Sequence, residues 1–547
     1  MGGRKASWRR RERLLNETAG RIGEDRLRGN TAFWRALGQA RRANLADGGM
    51  APPVPGPDGL TRRNVLTALA ATGIAARLPR VAHAAPGDAP VVIIGGGIAG
   101  LSALWHLTRA GIEARLYETR TRIGGRMYTA RAKGQPAFEM GGQLVNTDHA
   151  DMHALVREFG LSLVDRKGGY HRTMILDGHV EVPEGELVAG LRGIAGQIDA
   201  DSVRLDQNYA RVAAELDQMS FTSYLDKHAA LMPRPWVRHL MEATARTEYG
   251  CEPRQASAIE LVFNLPAIDG RRIDVLSRSD ERYLIEGGSS ALAEAMASRL
   301  RDRITLYRRA TRIDPLGSGA RVVFSDGSKV DASAVIVTTP ASITRNIDFR
   351  IPLPPLWRAF IAEVGLGMNG KVQSVMSSRP WERPIGRGGE VWQTDPGANL
   401  SQGWEGSCAP LTGPGGVWTW FLGGTEVPAA DQADPHVLAG HFAYLTDATI
   451  KGMSAATGRT VRTNWHEDPM AMGAYVNFRP GQLTKFGSLI WTETDGIASN
   501  PPSAGPIHFA GEHLSDAYPG YMNGGAQTGR LAAASVIGAR AHARRLS

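Results

Sequence analysis

Residues 91–118 constrain the fold of this chain more than any other stretch. Val91-Val92-Ile93-Ile94 is an unbroken apolar run, the pattern of a strand covered on both faces in a parallel sheet. Gly95-Gly96-Gly97-Ile98-Ala99-Gly100 follows at once. In this order Gly95 permits a tight turn, Gly97 lets the backbone approach a pyrophosphate, and Gly100 lets a helix pack closely on the strand. Leu101 to Ala110 is helical in pattern and stops at Gly111. The N-terminus of that helix would point at the phosphates, where free N–H groups and the helix dipole stabilise negative charge. A second β-run, Ala114-Arg115-Leu116-Tyr117, ends at Glu118, whose carboxylate can accept hydrogen bonds from both ribose hydroxyls of a dinucleotide without a 2′-phosphate. Strand, glycine loop, helix, strand and acid in this order predict a dinucleotide-binding α/β unit.

At 547 residues the chain is too long for one compact core, so two folded domains are expected. The net charge of +9 suggests a nucleic-acid partner until its distribution is read. Residues 1–85 hold 16 Lys+Arg against 6 Asp+Glu, and the remaining 47 and 48 nearly cancel, so no basic face for a phosphate backbone is expected. Two cysteines, Cys251 and Cys408, exclude a disulfide scaffold or a cysteine-rich metal site, and with neither HExxH nor paired CxxC present no metal is expected.

Thr61-Arg62-Arg63-Asn64-Val65-Leu66, the apolar run Leu66–Ala76 and Ala82-His83-Ala84 together resemble a bacterial twin-arginine signal peptide, implying an exported, periplasmic or secreted protein whose mature chain starts near Ala85. The apolar run is too short for a stable membrane span. Residues 1–49 form a basic extension, either preceding a true start at Met50 or making basic amphipathic helices around Trp8, Phe33 and Trp34. Ala51–Gly59 reads as a linker, and the glycine-rich stretches near 386–389 and 412–416 as surface loops.

The segment after Glu118 narrows the dinucleotide to FAD. Arg122-Ile123-Gly124-Gly125-Arg126 resembles the GGR segment of flavin amine oxidases and related desaturases. Near the other end, Ile507-His508-Phe509-Ala510-Gly511-Glu512 and Pro519-Gly520-Tyr521-Met522-Asn523-Gly524-Gly525-Ala526 resemble the FAD-closing segment of the monoamine oxidase, polyamine oxidase and L-amino-acid oxidase superfamily. Between them the resemblance runs through Glu139-Met140-Gly141-Gly142-Gln143, Glu286-Gly287-Gly288 and the meander Ile304–Thr339 with its Asp326-Gly327 hairpin. It implies a Rossmann-like FAD-binding domain (86–142, 284–340 and 484–547) interleaved with a substrate-binding domain of mixed sheet and helices (143–283 and 341–483), α/β in class and α+β overall. It also implies FAD contacts from Gly95, Gly97, Ile98, Ala99 and Gly100, from Glu118, Thr119, Gly125 and Arg126, and from Gly141, Gly142, Gln143 and Leu144. Ala310 stands where the family usually has a valine whose backbone meets adenine. Trp465, Gly511, Glu512, Tyr521 and Met522 close the set, with a helix from about Gly525 to Ile537 aimed at the flavin.

The resemblance further implies that an amine loses hydride to flavin N5 and that O2 regenerates the flavin with release of hydrogen peroxide. Lys371, in Gly367-Met368-Asn369-Gly370-Lys371-Val372, matches the lysine that holds a water against N5, whereas a lysine starting a β-run is otherwise a solvated edge residue. Tyr475, after Trp465 in the W…GxY segment, and Tyr521 match two tyrosines that cage the amine. Ala474 occupies the position of the cysteine that bonds FAD in monoamine oxidases, so non-covalent FAD is expected. Leu144 falls where L-amino-acid oxidases carry a carboxylate-binding arginine, favouring an amine over an amino acid unless another arginine, such as Arg172, reaches the slot. L-amino-acid oxidation stays open as the alternative, followed by C–C desaturation and by a flavin-binding protein without catalysis. The partners expected are a small amine or amino acid and O2, with a homodimer possible. No motif in 145–280 or 341–480 fixes the substrate, although Arg246–Pro253 is expected near the entrance.

Overall fold

The computed structural model describes residues 89–546 apart from 134–135, 167–171, 264–266, 270–271, 275–278, 383–388, 409–412, 495–496 and 499–501. The basic extension, the linker and the twin-arginine segment lie outside the described residues, as does the side chain of Arg172.

Val91–Ile94 is the third strand of a six-stranded sheet, between Ala114–Tyr117 and Ala334–Val337 and parallel to both. Ile304–Thr305 extends the parallel set on one side and Ile507–Phe509 on the other, with Ser503–Ala504 turning back antiparallel at the edge. All four residues of Val91–Ile94 are buried, which explains the absence of polar alternation. By contrast, Arg115 is exposed between the buried Ala114 and Leu116. The strands come from three stretches of chain separated by long insertions.

The helix after the glycine loop spans Ile98–Arg109, three residues earlier than its pattern suggested, because Ile98-Ala99-Gly100 already form its first turn. The C-terminal helix begins at Met522 and runs to Leu546, longer at both ends than expected. These two helices cross at very short range. Ser102 Oγ donates to Ala526 O at 2.8 Å, and a Cβ on Gly529 would lie 2.1 Å from Ala99 O. The crossing sets both N-termini beside the carboxyl ends of the parallel strands, where a twisted α/β sheet binds its ligands.

The meander forms as expected from Ala310–Leu316, Gly319–Phe324 and Lys329–Ala332, with Gly327 at φ +81 in the hairpin turn. A second, seven-stranded sheet runs in the order Thr457–Arg462, Asn369–Met376, Gly416–Gly423, Gln402–Glu405, Gly389–Gln393, Arg172–Asp177 and Val180–Glu181. Beneath it lies a separate apolar core around Trp381, Trp418, Trp420 and Phe442. Helices between Glu184 and Phe263, among them Pro235–Tyr249, complete this half. Among the described residues no helix is long and apolar enough to cross a membrane.

Candidate active site

A crevice of about 1060 Å³ runs along the carboxyl ends of the parallel strands. Gly95, Gly97, Ile98, Ala99, Glu118, Thr119, Gly125, Arg126, Gly511, Glu512 and Met522 line it. Gly95 adopts φ +109, and a Cβ on Gly100 would sit 2.0 Å from Gly95 O. Gly100 is therefore a packing residue and does not line the crevice. At Gly97 an added Cβ would meet nothing within 4 Å, so this glycine faces open space. Glu118 accepts from Gly96 N at 2.6 Å and from Arg120 N at 2.8 Å. Each carboxylate oxygen keeps a second acceptor site for a ribose hydroxyl. Two helix N-termini, a fixed carboxylate and backbone open at Gly97 suit a dinucleotide diphosphate.

Ala310 lies beside the crevice segment rather than on its wall. It is buried at the start of its strand, paired with Phe324, and does not line the crevice. The residues just before it touch the acid's segment instead, with Arg308 N donating to Glu118 O at 2.8 Å.

A second cavity of about 960 Å³ meets the crevice end to end. Arg126, Gly142, Ala474, Tyr475, Gly520, Tyr521 and Met522 line both. Arg126 NH1 donates to Glu512 Oε1 at 2.8 Å and to Ala474 O at 2.6 Å, while Glu512 Oε2 accepts from Gly520 N at 2.9 Å. The guanidinium thus knits three distant segments into the junction. Gly141 permits a close approach here, since a Cβ would fall 1.8 Å from Arg126 O.

Lys371 lies on the wall of the second cavity and is nearly fully buried. It is not a solvated edge residue, because its strand is paired on both sides, with Gly416–Gly423 and with Thr457–Arg462. Its Nζ donates to Gly141 O at 2.8 Å, Gln143 Oε1 at 2.9 Å and Glu139 O at 3.1 Å, three acceptors for the three protons of an ammonium. Burial lowers its proton affinity, and the nearby Glu139 carboxylate opposes that shift. Burial raises Glu139 in turn, countered first by Lys371 and then by donation from Ser289 and Thr129.

The two tyrosines both line the cavity, and their hydroxyls are held differently. Tyr475 OH donates to the carbonyl of Thr247, near the C-terminal end of the helix Pro235–Tyr249, and its ring lies against Gly520. Tyr521 OH is 3.1 Å from Ser279 Oγ, and its ring meets the buried ring of His149 edge-on, with centroids 5.1 Å apart. Burial raises both phenols well above their ordinary value and pushes His149 down to about 3. Trp465 donates from Nε1 to Met140 O at 2.6 Å, and Gln143 and Leu144 also line this cavity.

Thr247 and Glu248, within the stretch expected near the entrance, line the cavity, whereas Glu281, Gln402, Trp404 and Phe421 escaped the sequence reading. One signal was available. Asn369, Lys371 and Gln373 alternate along a strand that is otherwise apolar or small, which marks one face as a buried polar wall. Phe421 sits directly opposite Lys371 in the neighbouring strand, and Gln402 opposite Phe421 in the next. The two cysteines are free and buried, and neither lines the crevice or the cavity. Asp431, His466 and Glu467 bring possible ligand atoms within 4.8 Å of one another, but Arg462 already faces Asp431 at 3.4 Å and His466 Nε2 lies 2.9 Å from it.

The chain as a whole has relatives among known proteins. The family model described as flavin containing amine oxidoreductase matches residues 98–537. A Mycobacterium tuberculosis protein with the provisional name flavin-containing monoamine oxidase AofH is 27% identical over 84% of this chain and 99% of its own length. An L-amino acid dehydrogenase of a Synechocystis species is 23% identical over 82% of this chain and 94% of its own. Among solved structures, cyclohexylamine oxidase from Brevibacterium oxydans superposes with a TM-score of 0.69 at 22% identity, covering 83% of this chain and 99% of that one.

Proposed function

The chain belongs to the flavin-containing amine oxidoreductase family, and on that premise we propose that it is an FAD-dependent oxidase acting on the C–N bond of a small amine. The observation that carries this reading is the end-to-end junction of the dinucleotide crevice with a second cavity walled by Lys371, Tyr475 and Tyr521. FAD held by Glu118, Arg126, Glu512 and the two helix N-termini would supply the two-electron acceptor for oxidation of an amine to an imine, which water would hydrolyse to aldehyde and ammonia, with O2 as the final acceptor giving hydrogen peroxide.

The protein's own groups do the rest. Tyr475 and Tyr521 present ring faces that orient an amine and exclude water from the junction. Lys371, its proton affinity lowered by burial, keeps positive charge or a transferable proton on the cavity wall. The N-terminus of the helix Met522–Leu546 lies beside the crevice and favours negative charge there. Ala474 offers no nucleophile at the junction and both cysteines lie elsewhere, which supports non-covalent FAD.

An α-carboxylate on the substrate is disfavoured by Leu144, which places an apolar side chain on the cavity wall. Similarity to a protein named L-amino acid dehydrogenase keeps amino acids as the second reading, and with them an acceptor other than O2. A panel of amines and amino acids, assayed in parallel for peroxide and with a dye acceptor, separates these readings. Faster turnover of free amino acids than of their decarboxylated amines would sink the amine assignment. The twin-arginine segment supports export, and N-terminal sequencing should find a mature chain starting near Ala85. Retention of Met1 would overturn that.

A further inference from the structure

Asn146 touches neither cavity, yet it is 1% exposed and every hydrogen-bonding group it has is engaged. Its N–H donates to His149 Nδ1 at 3.1 Å, and its carbonyl accepts from His149 N at 3.1 Å and lies 2.9 Å from His153 Nε2. Its side-chain oxygen accepts from Glu281 N at 2.9 Å, and its side-chain nitrogen donates to Ser279 Oγ at 2.8 Å, which in turn lies 3.1 Å from Tyr521 OH. An oxygen facing an N–H and a nitrogen facing a hydroxyl leave one orientation for this amide.

Two cavity-lining residues hang on that amide. Glu281 is held at φ +40, in the left-handed region that a non-glycine residue avoids. Its backbone is fixed from both sides, by Asn146 on its N–H and by Arg166 NH1, 3.0 Å from its carbonyl. Tyr521 is reached through Ser279, and His149, set by the Asn146 backbone, packs against its ring. Tyr475 depends on no such relay, because its hydroxyl goes directly to the Thr247 carbonyl.

We propose that Asn146 is a positioning residue for the amine site: through Ser279 it sets the Tyr521 hydroxyl, and through its side-chain oxygen it sets the backbone of Glu281. The proposal rests on the reading of this cavity as the substrate site. With the amide in place, donation from Asn146 occupies one lone pair of Ser279 Oγ and fixes that oxygen 3.1 Å from Tyr521 OH.

Ser279→Ala removes only the tyrosine arm and Asn146→Ala removes both; each is compared alone and in a Tyr521→Phe background. The readouts are KM and kcat on the best amine of the panel, the visible spectrum of bound flavin, and thermal stability. Ser279→Ala should raise KM on the order of tenfold, as expected for one hydrogen bond, with flavin content retained, and should have no further effect once Tyr521 is Phe. Asn146→Ala should raise KM further and keep a residual effect in the Phe background through Glu281. An equal Ser279→Ala effect in both backgrounds, or an unchanged KM, overturns the proposal. If Asn146→Ala does not fold, the Ser279 arm decides alone. Failure of the parent protein to oxidise any amine would count against the proposed function, while the flavin spectra of Ser279→Ala with and without Tyr521→Phe still test the coupling: additive spectral changes overturn it.

Discussion

Arg126 and Glu512, 386 residues apart in sequence, meet in an ion pair of 2.8 Å at the place where the two cavities join. Because the Glu512 side chain is only 8% exposed, losing its partner leaves a charge that water cannot easily compensate. Arg126→Met should lower stability by about 3 kcal/mol and release FAD on gel filtration, whereas Arg126→Lys should retain part of both. Full FAD occupancy in Arg126→Met, read from the ratio of flavin to protein absorbance, would refute this.

Lys371→Met removes the buried ammonium but keeps a similar volume. Its three acceptors, Glu139 O, Gly141 O and Gln143 Oε1, lose their donor. The expected outcome is a fall in kcat/KM of about 100-fold or more with FAD still bound. Stopped-flow reduction without oxygen, followed by reoxidation, tells which half-reaction slows. Wild-type rates in both halves would remove Lys371 from the mechanism.

Gly529 lies where the C-terminal helix crosses the glycine-loop helix, with room for no Cβ beyond 2.1 Å from Ala99 O. Gly529→Ala must separate the helices, at a cost of about 1–3 kcal/mol, and the melting temperature should drop accordingly. Gly538, on the same helix with open space around its Cβ, serves as the control and should tolerate Ala.

Glu260 is buried in the helix Ala258–Phe263, and burial pushes its carboxyl up to about 8. A carboxyl raised above its unfolded value contributes stability that is complete below about 4.5 and is lost as pH rises through 8. The neutral Glu260→Gln does not titrate. Relative to wild type it should gain stability between pH 5 and pH 8.5, by up to about 4 kcal/mol. Thermal melts of both proteins at the two pH values measure this, and parallel pH dependence would show that Glu260 stays ionised in the folded protein.

Local patterns made the cofactor half of the molecule readable. Val91–Ile94, Gly95 and Gly100 each do in space what their spacing implied, and Glu118 lines the crevice beside them, because a strand, a tight turn and the following helix are decided by neighbouring residues. Boundaries were less legible. Ile98-Ala99-Gly100 was read as loop, although Gly97 already caps the helix there. The second cavity was legible mainly where resemblance reached it, at Gln143, Leu144, Lys371, Trp465, Tyr475 and Tyr521. Trp404 and Phe421 enter through the pairing of strands far apart in sequence, and no local pattern says which strand lies beside Asn369–Met376.

The crossing of Ile98–Arg109 with Met522–Leu546 has a temporal meaning. A growing polypeptide carries the glycine-loop helix, Lys371 and Tyr475 while still lacking Tyr521, Met522 and the helix that starts there, which line both the crevice and the cavity. Both hollows are therefore finished only by the last stretch of synthesis, and a chain cut short before Met522 lacks part of each wall.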